Sequence, residues 1–197
     1  MTMKTLARHF IMVVLTVILA GCANSGGGKL GPYNISVDHD DKNLMLNGYD
    51  PVAYQTVGKN LRGKPEIKTD FDGVTYRFEN ELNRAAFLNE PLRYVPQFGG
   101  FCANGIAYGI PWGGDGDTWK LIDGKLYIFG GQSSKNYFLM DEPANLKYAN
   151  DYWVREIKNG NAIIRRYWRL VLRVPHYKTG AELEQLWQQK PKSANAQ

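Results

Sequence analysis

Val74, Tyr76 and Phe78 alternate with Thr75 and Arg77, the two-residue period of a strand with one buried face. Asp72-Gly73 stands immediately before them and follows the β-prone Phe71. An Asp-Gly pair accepts the left-handed backbone of a tight turn, so the pattern predicts a β-hairpin. Trp119 to Ile122, Asp123-Gly124 and Lys125 to Phe129 repeat the arrangement and predict a second. Elsewhere the period lengthens. Asn80 is placed to cap a helix through Leu82, Ala85, Ala86 and Phe87, which Pro91 stops. Asn145 to Ile157 carries Leu146, Ala149 and Trp153 roughly on one stripe and predicts another helix. After Gly160-Asn161, the stretch from Ile163 to Val174 sets Arg165, Arg169 and Arg173 four residues apart. That spacing favours a helix, although Trp168, Leu170, Leu172 and Val174 also alternate as a strand would. Thr179-Gly180-Ala181-Glu182 reads as a capping box opening a last helix through Leu183, Leu186 and Trp187. The expected class is α+β: a small antiparallel sheet built from hairpins with packed helices, plus a basic C-terminal helical extension.

The start of the chain follows a different logic. Lys4, Arg8 and His9 precede an apolar run from Phe10 to Ala20, interrupted only by Thr16. The run is too short for a stable membrane-spanning helix and fits the apolar core of an export signal. Leu19-Ala20-Gly21-Cys22 resembles the lipobox of bacterial lipoproteins, which implies acylation of Cys22 and cleavage before it. At about 0.8 kcal/mol per buried methylene, two or three acyl chains hold a protein on a bilayer. Ala23-Asn24-Ser25-Gly26-Gly27-Gly28 then reads as a flexible tether. By resemblance to lipoprotein sorting, Ala23 after the cysteine implies the periplasmic face of the outer membrane. The expected organisation is a signal over 1–21, a lipidated tether and lead-in over 22–46, a central domain over 47–153 and the basic extension over 154–197.

Length and composition suit one globular domain: 197 residues, 44% hydrophobic and 22% charged. The formal charge of +5 falls once Lys4 and Arg8 leave with the signal, and the remaining excess lies towards the C-terminus. An acidic surface suits such a patch, and an exported chain argues against nucleic acid as a partner. Cys22 and Cys102 are the only cysteines. With Cys22 acylated, Cys102 has no intramolecular partner.

Five central segments resemble successive motifs of the YHS domain family. They are Gly48-Tyr49-Asp50-Pro51-Val52-Ala53-Tyr54, Gly73-Val74-Thr75-Tyr76-Arg77-Phe78, Phe87-Leu88-Asn89-Glu90-Pro91-Leu92-Arg93-Tyr94, Pro96-Gln97-Phe98-Gly99-Gly100-Phe101-Cys102-Ala103 and Asp123-Gly124-Lys125-Leu126-Tyr127. The last two look like the exported branch of that family, and the likeness spans about Asn47 to Trp153. The resemblance implies a compact α+β domain and metal handling, copper above all. The metal motif itself departs: Ala53 and Glu79 stand where metal-associated members resemble a cysteine. The soft thiolates that select copper or zinc are missing from both places.

Cys102 is the main chemical candidate, either as a thiolate for a soft metal or small electrophile or as a buried small hydrophobe. Gly99 and Gly100 before it let backbone approach a ligand. Tyr49, Asp50 and Tyr54 either line the same pocket or serve locally, Asp50 capping a turn while Tyr54 packs in the core. A Cys102, His39 and His176 metal set is a further candidate. Asp115 and Asp117 among glycines lack the ordered ligands of a calcium loop and read as a surface loop. The tryptophans form either core or a stacking site. Arg165, Arg166, Arg169 and Arg173 form either a surface for anionic lipid or a partner, or a solvated helix face pairing with acidic neighbours. No paired histidines, Ser/His/Asp pattern or phosphate loop stands out. The expected function is a membrane-tethered, non-catalytic module for a metal ion, a small ligand or an envelope protein. The alternatives are a thiol-dependent or redox-linked enzyme using Cys102, and a structural module docking through its basic helices.

Overall fold

A computed structural model describes residues 32–190. The expected signal, Cys22 and the expected tether from Ala23 to Gly28 lie outside the described residues. The Asp72-Gly73 hairpin forms as the alternation predicts. Strands β3 (Lys64–Phe71) and β4 (Val74–Phe78) pair antiparallel, with Asp72 and Gly73 at φ 53° and 75°. Two short strands extend the sheet: β1 (Ile35–Ser36) pairs antiparallel with β2 (Leu44–Met45), and β2 runs parallel to β4. The order β1-β2-β4-β3 is therefore mixed, which corrects the expected antiparallel sheet. The parallel pair arises because the lead-in, which carries no strand-length apolar alternation, docks beside β4 as a two-residue strand. The second hairpin, β5 (Asp115–Ile122) with β6 (Lys125–Phe129), stands as a separate two-stranded sheet. Its first arm begins four residues earlier than the alternation indicates, so Asp115 and Asp117 lie in a strand rather than a surface loop. A register shift between Asp115 and Trp119 hides the pattern there.

Among the described residues there are eight α-helices. They are α1 (Ala53–Thr56), α2 (Glu81–Asn89), α3 (Pro91–Tyr94), α4 (Ala103–Ile106), α5 (Gln132–Leu139), α6 (Glu142–Tyr152), α7 (Ala162–Val171) and α8 (Gly180–Gln189). The Asn80 cap is present: its side chain accepts the Asn83 amide at 2.8 Å. So is the capping box, in which Thr179 and Glu182 each satisfy the other's backbone amide. Of the stretch read with two periodicities, Ile163 to Val171 is helical as α7, with Asn161 capping it by accepting the amides of Ile163 and Ile164. The helix stops before Leu172, which leaves Arg173 beyond its end and frees Val174 for the core. Between α6 and α7 a π-helical turn, Trp153–Ile157, carries Glu156 towards α7.

Three apolar clusters hold these elements. In the first, Phe87 of α2 sits against Phe71, Tyr76 and Phe78, at 4.7 Å from the Tyr76 ring centroid. The second packs Phe98, Phe101 and Ile106 with Tyr127 and Phe129 of β6 and Phe138 of α5. The third joins Tyr108 and Ile110 to Val174 and Leu183, so the C-terminal segment packs on the loop after α4 and beside Tyr137 of α5. A partly buried ion cluster ties the lead-in to β4. Arg77, 6% exposed, meets Asp41 at 2.5 Å and Asp38 at 2.6 Å, and Lys68 closes on Asp41 at 2.6 Å.

Candidate functional site

Cys102 lies between a left-handed turn and helix α4. Its amide donates to Trp112 O at 2.9 Å, and its backbone bridges to Ile128 of β6, which fixes the side chain beneath the second hairpin. There the thiol is 3% exposed and shares a 3.0 Å hydrogen bond with the Ser134 hydroxyl. A cleft of about 580 Å³ opens on this pair. The rings of Tyr108, Trp112, Tyr137 and Tyr177 supply much of its wall, and Gly130, Gly131, Gln132, Ser133 and Ser134 supply another part. That second part is the start of α5, where Gly131 at the cap position gives no side-chain hydrogen bond. The first amides of a helix have no intrahelical acceptor, so an uncapped first turn keeps donors available. Lys178 completes the rim with a cation.

The other proposed ligand residues lie elsewhere. Gly99 and Gly100 adopt φ 58° and 77°, and a side chain on Gly99 would collide with the Pro32 carbonyl. They receive the lead-in rather than a ligand: Asn34 donates its amide to Gly99 O at 2.8 Å and its side chain to Gly100 O at 3.1 Å. Asp50 is fully buried with its carboxylate consumed by the fold. One oxygen accepts the amides of Val52 and Ala53 at 2.8 and 3.3 Å, and the other accepts the Glu79 amide at 2.9 Å and the Asn83 side chain at 2.6 Å. Tyr54 donates to Gly116 O at 2.9 Å and packs edge-on against Trp119 at 5.0 Å. Burial pushes its phenol far above the ordinary tyrosine range, so it stays a donor. The Tyr49 ring lies 3.8 Å beneath the Arg62 guanidinium. Tyr49 and Tyr54 thus pack in the first cluster with Asp50 bonded between them in sequence, and none of the three lines the cleft at Cys102.

Beside the Cys102 sulfur stand a hydroxyl and backbone, with no imidazole or carboxylate. His39 is 98% exposed and bonds Asp40. His176 stacks 3.8 Å from the Tyr148 ring and directs Nε2 to Ala107 O at 2.9 Å. No group of three or more His, Cys, Asp or Glu side chains among the described residues is placed to hold a metal ion. A soft ion needs several soft or imidazole donors, and this set does not fit one.

The arginine stripe is directed into the molecule. Arg165 and Arg169 reach Glu156 at 3.3 and 2.5 Å, and Arg166 donates to Pro111 O at 2.7 Å while lying over the Trp112 ring. Arg173 alone of the four is exposed, 4.6 Å over the Tyr177 ring. Sequence reasoning missed Ser134 and the whole of α5. Gly130-Gly131 followed by Gln132-Ser133-Ser134 was the available signal, a chain-reversing pair before a polar helix start. No family model, curated protein or solved structure matches the chain.

Proposed function

We propose that the chain is an envelope lipoprotein, anchored through Cys22 and facing the periplasm from the outer membrane, whose YHS-like domain binds a small organic ligand. The cleft at Cys102 carries this reading. It joins aromatic walls to free helix-start donors and a cation, the arrangement that holds a ring or short chain ending in a hydrogen-bond acceptor. The Cys102–Ser134 pair shapes its floor. Binding is favoured over thiol catalysis because the sulfur's side-chain partner is a hydroxyl, and a nucleophilic thiol needs a neighbouring base.

The test is native mass spectrometry of the mature protein purified from its host, beside a Ser134→Phe variant that fills the floor of the cleft. A small-molecule adduct on the wild type, lost from a folded variant, supports the reading. Wild-type protein without adduct, whose melting temperature is unmoved by a panel of aromatic and aliphatic carboxylates, overturns it. Copper and zinc titration of wild type and Cys102→Ala sharpens the choice of ligand class. Equal uptake by both is expected, and tight uptake lost with the thiol would restore the metal.

A further inference from the structure

Helix α7 is built inside out. On a helical wheel Arg165, Arg166 and Arg169 occupy one arc, and Ile163, Ile164, Tyr167, Trp168 and Val171 occupy the opposite one. A helix on a water-exposed surface normally buries the second arc. Here the three half-buried arginines are the inward side, held by Glu156 and by Pro111 O, so the apolar arc faces outward. Ile164 is 57% exposed, Tyr167 67%, Trp168 58% and Val171 77%, and Leu172 continues the surface at 59%. Such a contiguous apolar face marks a surface that is covered in use.

We infer that this face seats in the interfacial layer of the bilayer that carries the protein's acyl chains, with α7 lying in the membrane plane. The inference rests on the lipoprotein reading given above. The helix has ten residues, about 15 Å, and no helix among the described residues is long and apolar enough to cross a membrane. An in-plane seat matches that length. Exposed Lys158 and Arg173 flank the helix at its two ends, where anionic headgroups would meet them, and Tyr167 and Trp168 are the residue types that settle at that depth. A second copy placed on the same face would set these cations against like charges. The ten residues from Cys22 to Pro32 span at most about 35 Å when extended, which keeps the domain close to the bilayer that holds the acyl chains. The ion pairs to Glu156 orient the helix in advance, so seating requires no refolding.

The test separates this contact from the lipid anchor. The mature chain from residue 22 onward, bearing Cys22→Ser and so lacking both signal and acyl chains, is sedimented with vesicles of phosphatidylethanolamine and phosphatidylglycerol, beside the same chain carrying Ile164→Asp and Val171→Asp. Binding that falls at least tenfold in the double variant, with unchanged circular dichroism and melting temperature, is the expected result. Brominated acyl chains should also quench part of the wild-type fluorescence, and Trp168→Phe should remove that part. Absence of vesicle binding, or binding equal in both proteins, overturns the inference. So does a concentration-dependent dimer that the two aspartates abolish, which would assign the face to a second copy. Mass spectrometry of the exported chain tests acylation of Cys22 independently, so a failed anchor and a failed helix contact give different results.

Discussion

Asp50 and Cys102 are both buried, both polar and both adjacent to a sharp turn, yet the fold uses them in opposite ways. Four donors converge on the Asp50 carboxylate, joining the start of α1 to the end of β4 and the first turn of α2. Nothing is left over for a ligand. The Cys102 thiol has a single side-chain partner and faces a cleft whose uncapped helix start keeps donors free. The difference teaches that burial alone does not mark a site. What matters is whether the bonding capacity of a buried group and its neighbours is already spent.

The contrast is sharpest for removal of the carboxylate. Asp50→Ala strands several partly or fully buried donors and should cost about 3 kcal/mol, lowering the melting temperature by roughly 6–12 °C. A loss below about 1 kcal/mol by denaturant unfolding would return Asp50 to the list of free groups. Acid should act next, on the ion cluster that closes the same half of the molecule. The hydrogen bond from Arg77 leads in holding the Asp38 carboxyl down at about 2. Burial alone would raise that of Asp41, but hydrogen bonds from Lys68 and Arg77 bring it below the ordinary range. A carboxyl depressed in the folded state contributes stability that is complete above its unfolded value, about 3.9. That contribution is lost as pH falls from there towards 2. The acid-unfolding midpoint should therefore move to higher pH in Asp41→Asn, and an unmoved midpoint would remove the cluster from the account. Tyr54→Phe deletes one buried hydrogen bond to Gly116 O and should cost about 1 kcal/mol. The smallest effect belongs to the cleft: Cys102→Ser keeps a partner for Ser134 and should change stability by less than about 1 kcal/mol, read by the same unfolding curves. A larger loss would make Cys102 a structural group like Asp50.

Much of the fold was legible because its signals are local. The two Asp-Gly turns, the Asn80 cap and the Thr179–Glu182 box each depend on residues within four positions of one another. The parallel β2–β4 pair depends on Leu44 meeting Thr75, and no short-range pattern encodes that. The candidate site was legible in one residue only. Cys102 stood out by its chemistry, whereas Ser134 and the tyrosines that share its cleft come from segments 30 or more residues away in part. Proximity of Tyr49 and Asp50 to Cys102 was an inference from motif order, and the packing sends those groups into a different cluster. For α7 the four-residue arginine period correctly indicated a helix. Which face turns outward was decided by Glu156, on a π-helical turn that periodicity does not reveal.

Asn34 stitches the lead-in to three separate carbonyls, those of Gly99, Gly100 and Gly114. All three belong to the backbone around Cys102, whose amide in turn bonds Trp112 O. The described chain is therefore fastened to the back of the cleft at Asn34, one residue before it enters the mixed sheet at Ile35, so the cleft wall and the first strand share a single point of attachment.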